Sequence, residues 1–154
     1  MRVLLLGLGN DILGDDAVGL LAARALRGSV PENVEVLESS EAGLALVELL
    51  EGRDRALILD SVVTGRVPPG STLEFAREDF RNVTAPSPHY AGLPEILELG
   101  ERIGAAMPRE VRVLAMEVEN RYEVTEGLSD AVARSLPAFV TRAREALRGW
   151  EGGT

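Results

Sequence analysis

Three aspartates, Asp11, Asp15 and Asp16, crowd the segment Gly7-Leu8-Gly9-Asn10-Asp11-Ile12-Leu13-Gly14-Asp15-Asp16-Ala17-Val18-Gly19. A fourth, Asp60, closes the apolar run Ala56-Leu57-Ile58-Leu59. The chain's one histidine, His89, stands in the proline-rich stretch Ala85-Pro86-Ser87-Pro88-His89-Tyr90. Two carboxylates and one imidazole form an acceptable ligand set for a borderline divalent ion such as zinc or nickel. A carboxylate in such a set can instead act as a general base. The two prolines restrict the backbone just ahead of His89, which suits a ligand that must be held in place. Each residue alone has a plainer role. Acids are favoured in the first turn of a helix, Asp is a common turn former, and a lone His is more often a surface or capping residue.

The elements that must position these groups follow from periodicity. Val3-Leu4-Leu5-Leu6 reads as a buried strand, and Val18, Leu21, Ala22, Ala25 and Leu26 form an apolar stripe at helical spacing. The aspartate-rich segment is therefore a strand-to-helix turn, the place where open α/β sheets bind ligands. A dinucleotide fingerprint fails here, because Ile12 stands where the third glycine belongs. Three carboxylates also give the wrong field for a phosphate. If the first and third strands are neighbours, Asp16 and Asp60 face each other across one crevice.

Val34-Glu35-Val36-Leu37 reads as a strand ended by Glu38, followed by a short helix over 42–50 that Gly52 ends. Ser71–Phe75 alternates as an edge strand after the turn Pro68-Pro69-Gly70. Leu93, Ile96, Leu97, Gly100 and Ile103 have helical spacing, and Glu110–Met116 is the fifth strand. Glu117 and Glu119 behind it are expected as solvated loop acids. Leu128, Val132, Leu136, Phe139, Val140, Ala143 and Leu147 mark a long last helix that Pro137 should kink or split. This order implies an α/β protein, a three-layer α/β/α sandwich around a five-stranded, mostly parallel mixed sheet with Ser71–Phe75 antiparallel. Residues 1–150 are expected to form a single domain, with 151–154 a frayed tail.

Composition narrows the function. With 25 acids against 16 bases, every base an arginine, the formal net charge is −9. That balance argues against nucleic acid and against anionic membranes as partners. No apolar stretch approaches the roughly 20 residues of a membrane span, and no signal peptide fits the start, so a cytoplasmic protein is expected. The absence of cysteine excludes disulfides and thiol catalysis.

These residues resemble a known family, the hydrogenase maturation endopeptidases that trim the large subunit of nickel–iron hydrogenases. Three blocks carry the resemblance in order: the glycine–aspartate opening Gly7 to Gly19, the apolar strand with Asp60, and Ser87-Pro88-His89-Tyr90-Ala91-Gly92-Leu93. The resemblance implies a metal site of Asp16, Asp60 and His89, which are also the catalytic candidates. It implies that Glu38 handles substrate, and Gly9 and Asn10 of the first turn are grouped with it as substrate-binding residues. The implied substrate is a large-subunit precursor already loaded with nickel, cut once to release a short C-terminal peptide. The nickel would arrive with the precursor, so the resting site can be empty. Whether the metal activates water or carbonyl, or an aspartate acts as base in an aspartyl-type mechanism, stays open. Many members place two glycines and a threonine after the acid matching Glu38, where this chain has Ser39-Ser40-Glu41. That departure puts the loop backbone in question, since serine tolerates positive φ poorly. Two other readings stand beside this one: a non-catalytic, metal-dependent precursor-binding protein, and a nucleotide- or small-ligand-binding α/β module.

Overall fold

The computed structural model describes residues 1–81, 93–119 and 127–151. Five strands, β1 (Val3–Leu8), β2 (Val34–Ser39), β3 (Arg55–Val62), β4 (Thr72–Ala76) and β5 (Glu110–Glu117), form one sheet in the order β2-β1-β3-β5-β4. All neighbours are parallel except β4 and β5. The helices are α1 (Val18–Leu26), α2 (Ala45–Leu50), α3 (Leu93–Arg102) and α4 (Asp130–Glu151), and a 3₁₀ turn over Gly14–Ala17 leads into α1.

Strand alternation sorts the apolar side chains onto two faces. Leu5, Leu57, Leu59, Leu114 and Met116 pack under α1 and α4 with Val18, Ala22, Leu26, Phe139 and Leu147. Leu4, Leu6, Ile58, Val113 and Ala115 pack under α2 and α3 with Leu46, Leu50 and Leu97. β1 and β3, in the middle of the sheet, are buried along nearly their whole length because both faces are covered. The three-layer architecture and the antiparallel edge strand match the expectation.

Four local expectations are corrected. Asp60 does not end β3. The strand runs on to Val62 because Asp60, Ser61 and Val62 pair with Ala115, Met116 and Glu117 of β5. Glu117 is not a solvated loop acid. It is buried in β5 and accepts hydrogen bonds from the Thr64 amide at 2.8 Å, the Gly65 amide at 3.2 Å and the Thr64 hydroxyl. It thereby pins the turn that leaves β3. Pro137 does not split the last helix, since α4 is one helix from Asp130 to Glu151. The proline lies on the solvent side, where water can satisfy the carbonyl that lacks its partner. The same helix takes in Glu151, and residues 152–154 lie outside the described residues. Finally, Ile103 shares the helical stripe of its segment yet is 69% exposed and lies just past α3.

The glycines set how closely α1 approaches the sheet. A Cβ on Gly19 would stand 2.3 Å from the Leu59 carbonyl oxygen and 2.4 Å from that of Leu8. Gly7 faces it from β1, where a Cβ would stand 2.6 Å from the Gly19 carbonyl oxygen. Since both walls around Gly19 are backbone, neither can move aside cheaply. Gly19→Ala is expected to destabilise the protein by about 3 kcal/mol or more, the upper range of overpacking. Gly149→Ala in α4, where nothing lies within 4 Å of the new methyl, is expected to be neutral or stabilising by up to about 1 kcal/mol. Urea denaturation of the two variants checks this, and equal effects would refute the packing argument.

Candidate active site at the carboxyl edge of the sheet

β1 is the strand from which the chain leaves in both directions, to β2 on one side and β3 on the other. Ligands of open α/β sheets bind at such a switch point, beyond the carboxyl ends of the strands. The turn after β1 is built by its own polar groups. The Asn10 side-chain oxygen accepts the Ile12 amide at 3.1 Å, and the Asn10 carbonyl accepts the Leu13 amide at 3.2 Å. Gly14, at φ 54°, then takes the left-handed conformation that lets the 3₁₀ turn begin. The turn folds back so far that a Cβ on Gly9 would stand 2.2 Å from the Asp16 carbonyl oxygen.

The three aspartates of the turn have three different partners. Asp11 is exposed and pairs with Arg24 at 3.2 Å. Asp15 is buried and accepts both the Ser129 amide at 2.7 Å and the Ser129 hydroxyl at 2.8 Å. Ser129 directly precedes α4, and its carbonyl accepts the Ala133 amide, so Asp15 ties the start of the last helix to the start of the first. Asp16 turns the other way. Its Oδ1 accepts the hydroxyl of Ser61 at 2.7 Å, while the Ser61 amide donates to Asp60 Oδ1 at 2.7 Å.

Ser61 therefore links the two carboxylates expected to share the crevice. Leu57 and Leu59 lie on the α1 side of the sheet and Ala56, Ile58 and Val62 on the other. By the same alternation Ser61 falls on the α1 side, within reach of Asp16, and Asp60 on the α2 and α3 side. The two carboxylates are linked through Ser61 at the rim of the sheet, with Asp60 fully buried and Asp16 nearly so. Ser61 was missed in the sequence. Its signal was a second polar residue directly after Asp60 in a strand otherwise apolar on both faces. His89 and the whole Ser87–Leu93 block except the start of α3 lie outside the described residues. Among the described residues no three His, Cys, Asp or Glu side chains gather as metal ligands.

Glu38, Gly9 and Asn10 do come together. With Asp11, Leu20 and Ser40 they line one open cavity of about 290 Å³ beside the turn. Glu38 is doubly paired there, with Arg24 Nε at 2.6 Å and Arg27 Nη2 at 3.2 Å. Its hydrogen bond to Arg24, ahead of its charge and that of Asp11, raises the guanidinium above its usual pKa. Two guanidiniums thus fix the orientation of this carboxylate. The serine loop keeps an ordinary backbone: the Ser39 hydroxyl accepts the Glu41 amide at 2.9 Å, and Gly43 alone in this loop takes positive φ. A hydroxyl turn thus does the work of the missing glycines.

Similar proteins share this architecture. The HycI family model, described as hydrogenase maturation protease, matches residues 20–146. The hydrogenase 2 maturation protease of Escherichia coli (strain K12) is 30% identical over 154 residues, spanning 96% of this chain and 92% of its own length. The hydrogenase expression/formation protein HupD of Bradyrhizobium diazoefficiens is 32% identical over 155 residues, spanning 97% of this chain and 79% of its own. Among solved structures, the hydrogenase maturating endopeptidase HybD from E. coli superposes with a TM-score of 0.82 at 28% identity, covering 98% of this chain and 94% of its own. The [NiFe] hydrogenase maturation protease HybD from Thermococcus kodakarensis superposes with a TM-score of 0.74 at 28% identity, covering 96% and 99%.

The two adjacent aspartates should respond differently to substitution. Asp15→Ala removes two hydrogen bonds that anchor α4 and is expected to cost about 1–3 kcal/mol in equilibrium urea denaturation. Asp16→Asn keeps an acceptor for the Ser61 hydroxyl and should stay within about 1 kcal/mol of the parent, because the structural tie is untouched.

Proposed function

This chain belongs to the hydrogenase maturation protease family and is a peptidase, and we propose that it removes a C-terminal extension from a nickel-loaded hydrogenase large-subunit precursor. The observation that carries this reading is the pair of buried carboxylates, Asp16 and Asp60, joined through Ser61 where β1 and β3 meet. Two buried carboxylates bridged by one serine at the rim favour a cation, since burial penalises their negative charge and an arriving positive charge offsets it. With His89 as the third donor, the set has the hardness that suits nickel or zinc.

In this proposal the nickel belongs to the substrate. Asp16, Asp60 and His89 complete its coordination and so hold the adjacent peptide segment at the rim of the sheet. The cleavage consumes one water: its oxygen attacks the scissile carbonyl carbon, the C–N bond breaks, and the leaving amine takes a proton. An aspartate of the pair accepts the proton of the attacking water, or the substrate's metal lowers that water's pKa. Glu38, Gly9 and Asn10 would orient the peptide in the neighbouring cavity. No described helix is long and apolar enough to cross a membrane, and we propose action in the cytoplasm.

The test is mass spectrometry of a cognate precursor incubated with the enzyme, with and without nickel in the precursor. Loss of a C-terminal peptide is expected only from the nickel-loaded form. Asp16→Asn, Asp60→Asn and His89→Ala are each expected to slow cleavage by about 100-fold or more, the scale of losing a positioned acid–base or ligand group. Equal cleavage of the nickel-free precursor would overturn the recognition role of the metal. No cleavage of the loaded precursor would overturn the substrate.

A further inference from the structure

Six large apolar side chains stand exposed among the described residues, and three of them, Leu44, Leu99 and Ile103, line a single groove of about 410 Å³ between α2 and α3. Leu44 and Ile103 are 64% and 69% exposed, far more than core packing leaves. Val47 forms part of the floor, and Glu48 and Glu51 form an acidic rim. Neither glutamate has an ion-pair partner among the described residues. An apolar floor with an uncompensated acidic rim is complementary to an amphipathic segment that carries Lys or Arg beside its apolar side chains. A second copy of this chain is a poor occupant. A two-fold contact would set Glu48 and Glu51 against themselves, between chains that each carry a net charge of −9.

One end of the groove points toward the carboxyl edge of the sheet. α2 follows the loop that leaves Glu38, and α3 begins four residues after His89. α2 enters at the carboxyl edge of the sheet and delivers the chain to the start of β3, so Leu44 lies at the catalytic end of the groove and Glu51 at the far end. We propose that this groove is a docking surface for a basic amphipathic segment of the protein substrate, away from the bond that is cut. The proposal rests on the peptidase reading above, and it names where the substrate is held apart from the metal.

Two variant pairs test it through independent surfaces: Leu99→Asp with Ile103→Asp, and Glu48→Lys with Glu51→Lys. Steady-state cleavage of the nickel-loaded precursor is expected to show KM raised about tenfold or more for each pair, as for loss of interface anchors, with the loss falling on KM rather than kcat. Added salt should weaken the parent's affinity and narrow its gap from the Glu48→Lys, Glu51→Lys pair. All four side chains are surface groups, so thermal unfolding should be close to the parent's. KM within twofold of the parent for both pairs would overturn the groove. Sedimentation velocity covers the other occupant: a parent dimer that Ile103→Asp converts to monomer would make the groove a self-interface and overturn the proposal. Direct binding of the same precursor to the Asp16→Asn protein, with and without each pair, separates the two failures. Groove-dependent binding without cleavage by the parent would sink the peptidase substrate and keep the docking surface.

Discussion

Everything at the carboxyl edge depends on how closely α1 lies on β1 and β3. Gly19 sits against the carbonyls of Leu8 and Leu59, and Gly7 against Gly19 itself. A side chain at either position would lift the helix. Lifting α1 would carry the preceding 3₁₀ turn with it, and Asp16 would lose its reach to Ser61 on the neighbouring strand. The glycines of the opening motif are therefore not phosphate-binding glycines. They remove Cβ atoms at a helix–sheet contact, and the gain is the placement of one carboxylate to within a hydrogen bond.

The same turn shows how a cluster of like charges is made tolerable. Asp11 is neutralised by an exposed arginine, Asp15 is consumed by the amide and hydroxyl ahead of α4, and Asp16 alone is aimed at the strand rim. Burying a carboxylate costs free energy unless donors surround it. Asp15 and Glu117 meet that condition with backbone amides and hydroxyls, and each ties two distant segments together. Asp16 and Asp60 share Ser61, one through its hydroxyl and the other through its amide. The scaffold acids Asp15 and Glu117 beside this pair tie separate elements together.

The two ends of the parallel strands are fastened differently. At the carboxyl ends of the parallel strands stand Glu38, Asp60 and Glu117, with Asp15 and Asp16 beside them. At the amino ends stand Arg2, Arg53, Arg55 and Arg109. There Arg55 and Arg112 lie over the ring of Trp150, whose indole donates to Glu110 at 3.2 Å, and so fasten the end of α4. The amino edge is a structural clasp of cation–π contacts and ion pairs, with Glu35 and Glu110 paired to its arginines.

Much of this was legible in the sequence. The period-2 and period-3.6 patterns specified the five strands, the helices and their order, because burial on both faces of a sheet leaves long apolar runs that no other arrangement tolerates. The glycine–aspartate opening and Asp60 could be read as one constellation, and Glu38, Gly9 and Asn10 as another. What the linear chain could not express is direction. Ser61 reaches Asp16 only because β1 and β3 are neighbours and strand alternation turns its hydroxyl toward α1. Asp15 and Asp16, adjacent and chemically identical, part ways because consecutive residues of a tight turn point to different sides, one toward α4 and one toward β3. Glu117 looked like a loop acid until β5 proved to be one residue longer than its apolar run, which set the carboxylate under the Thr64 turn. Residue type and spacing decided which groups are available. Only the pairing of distant strands decided which of them meet, since that depends on contacts between segments far apart in the chain.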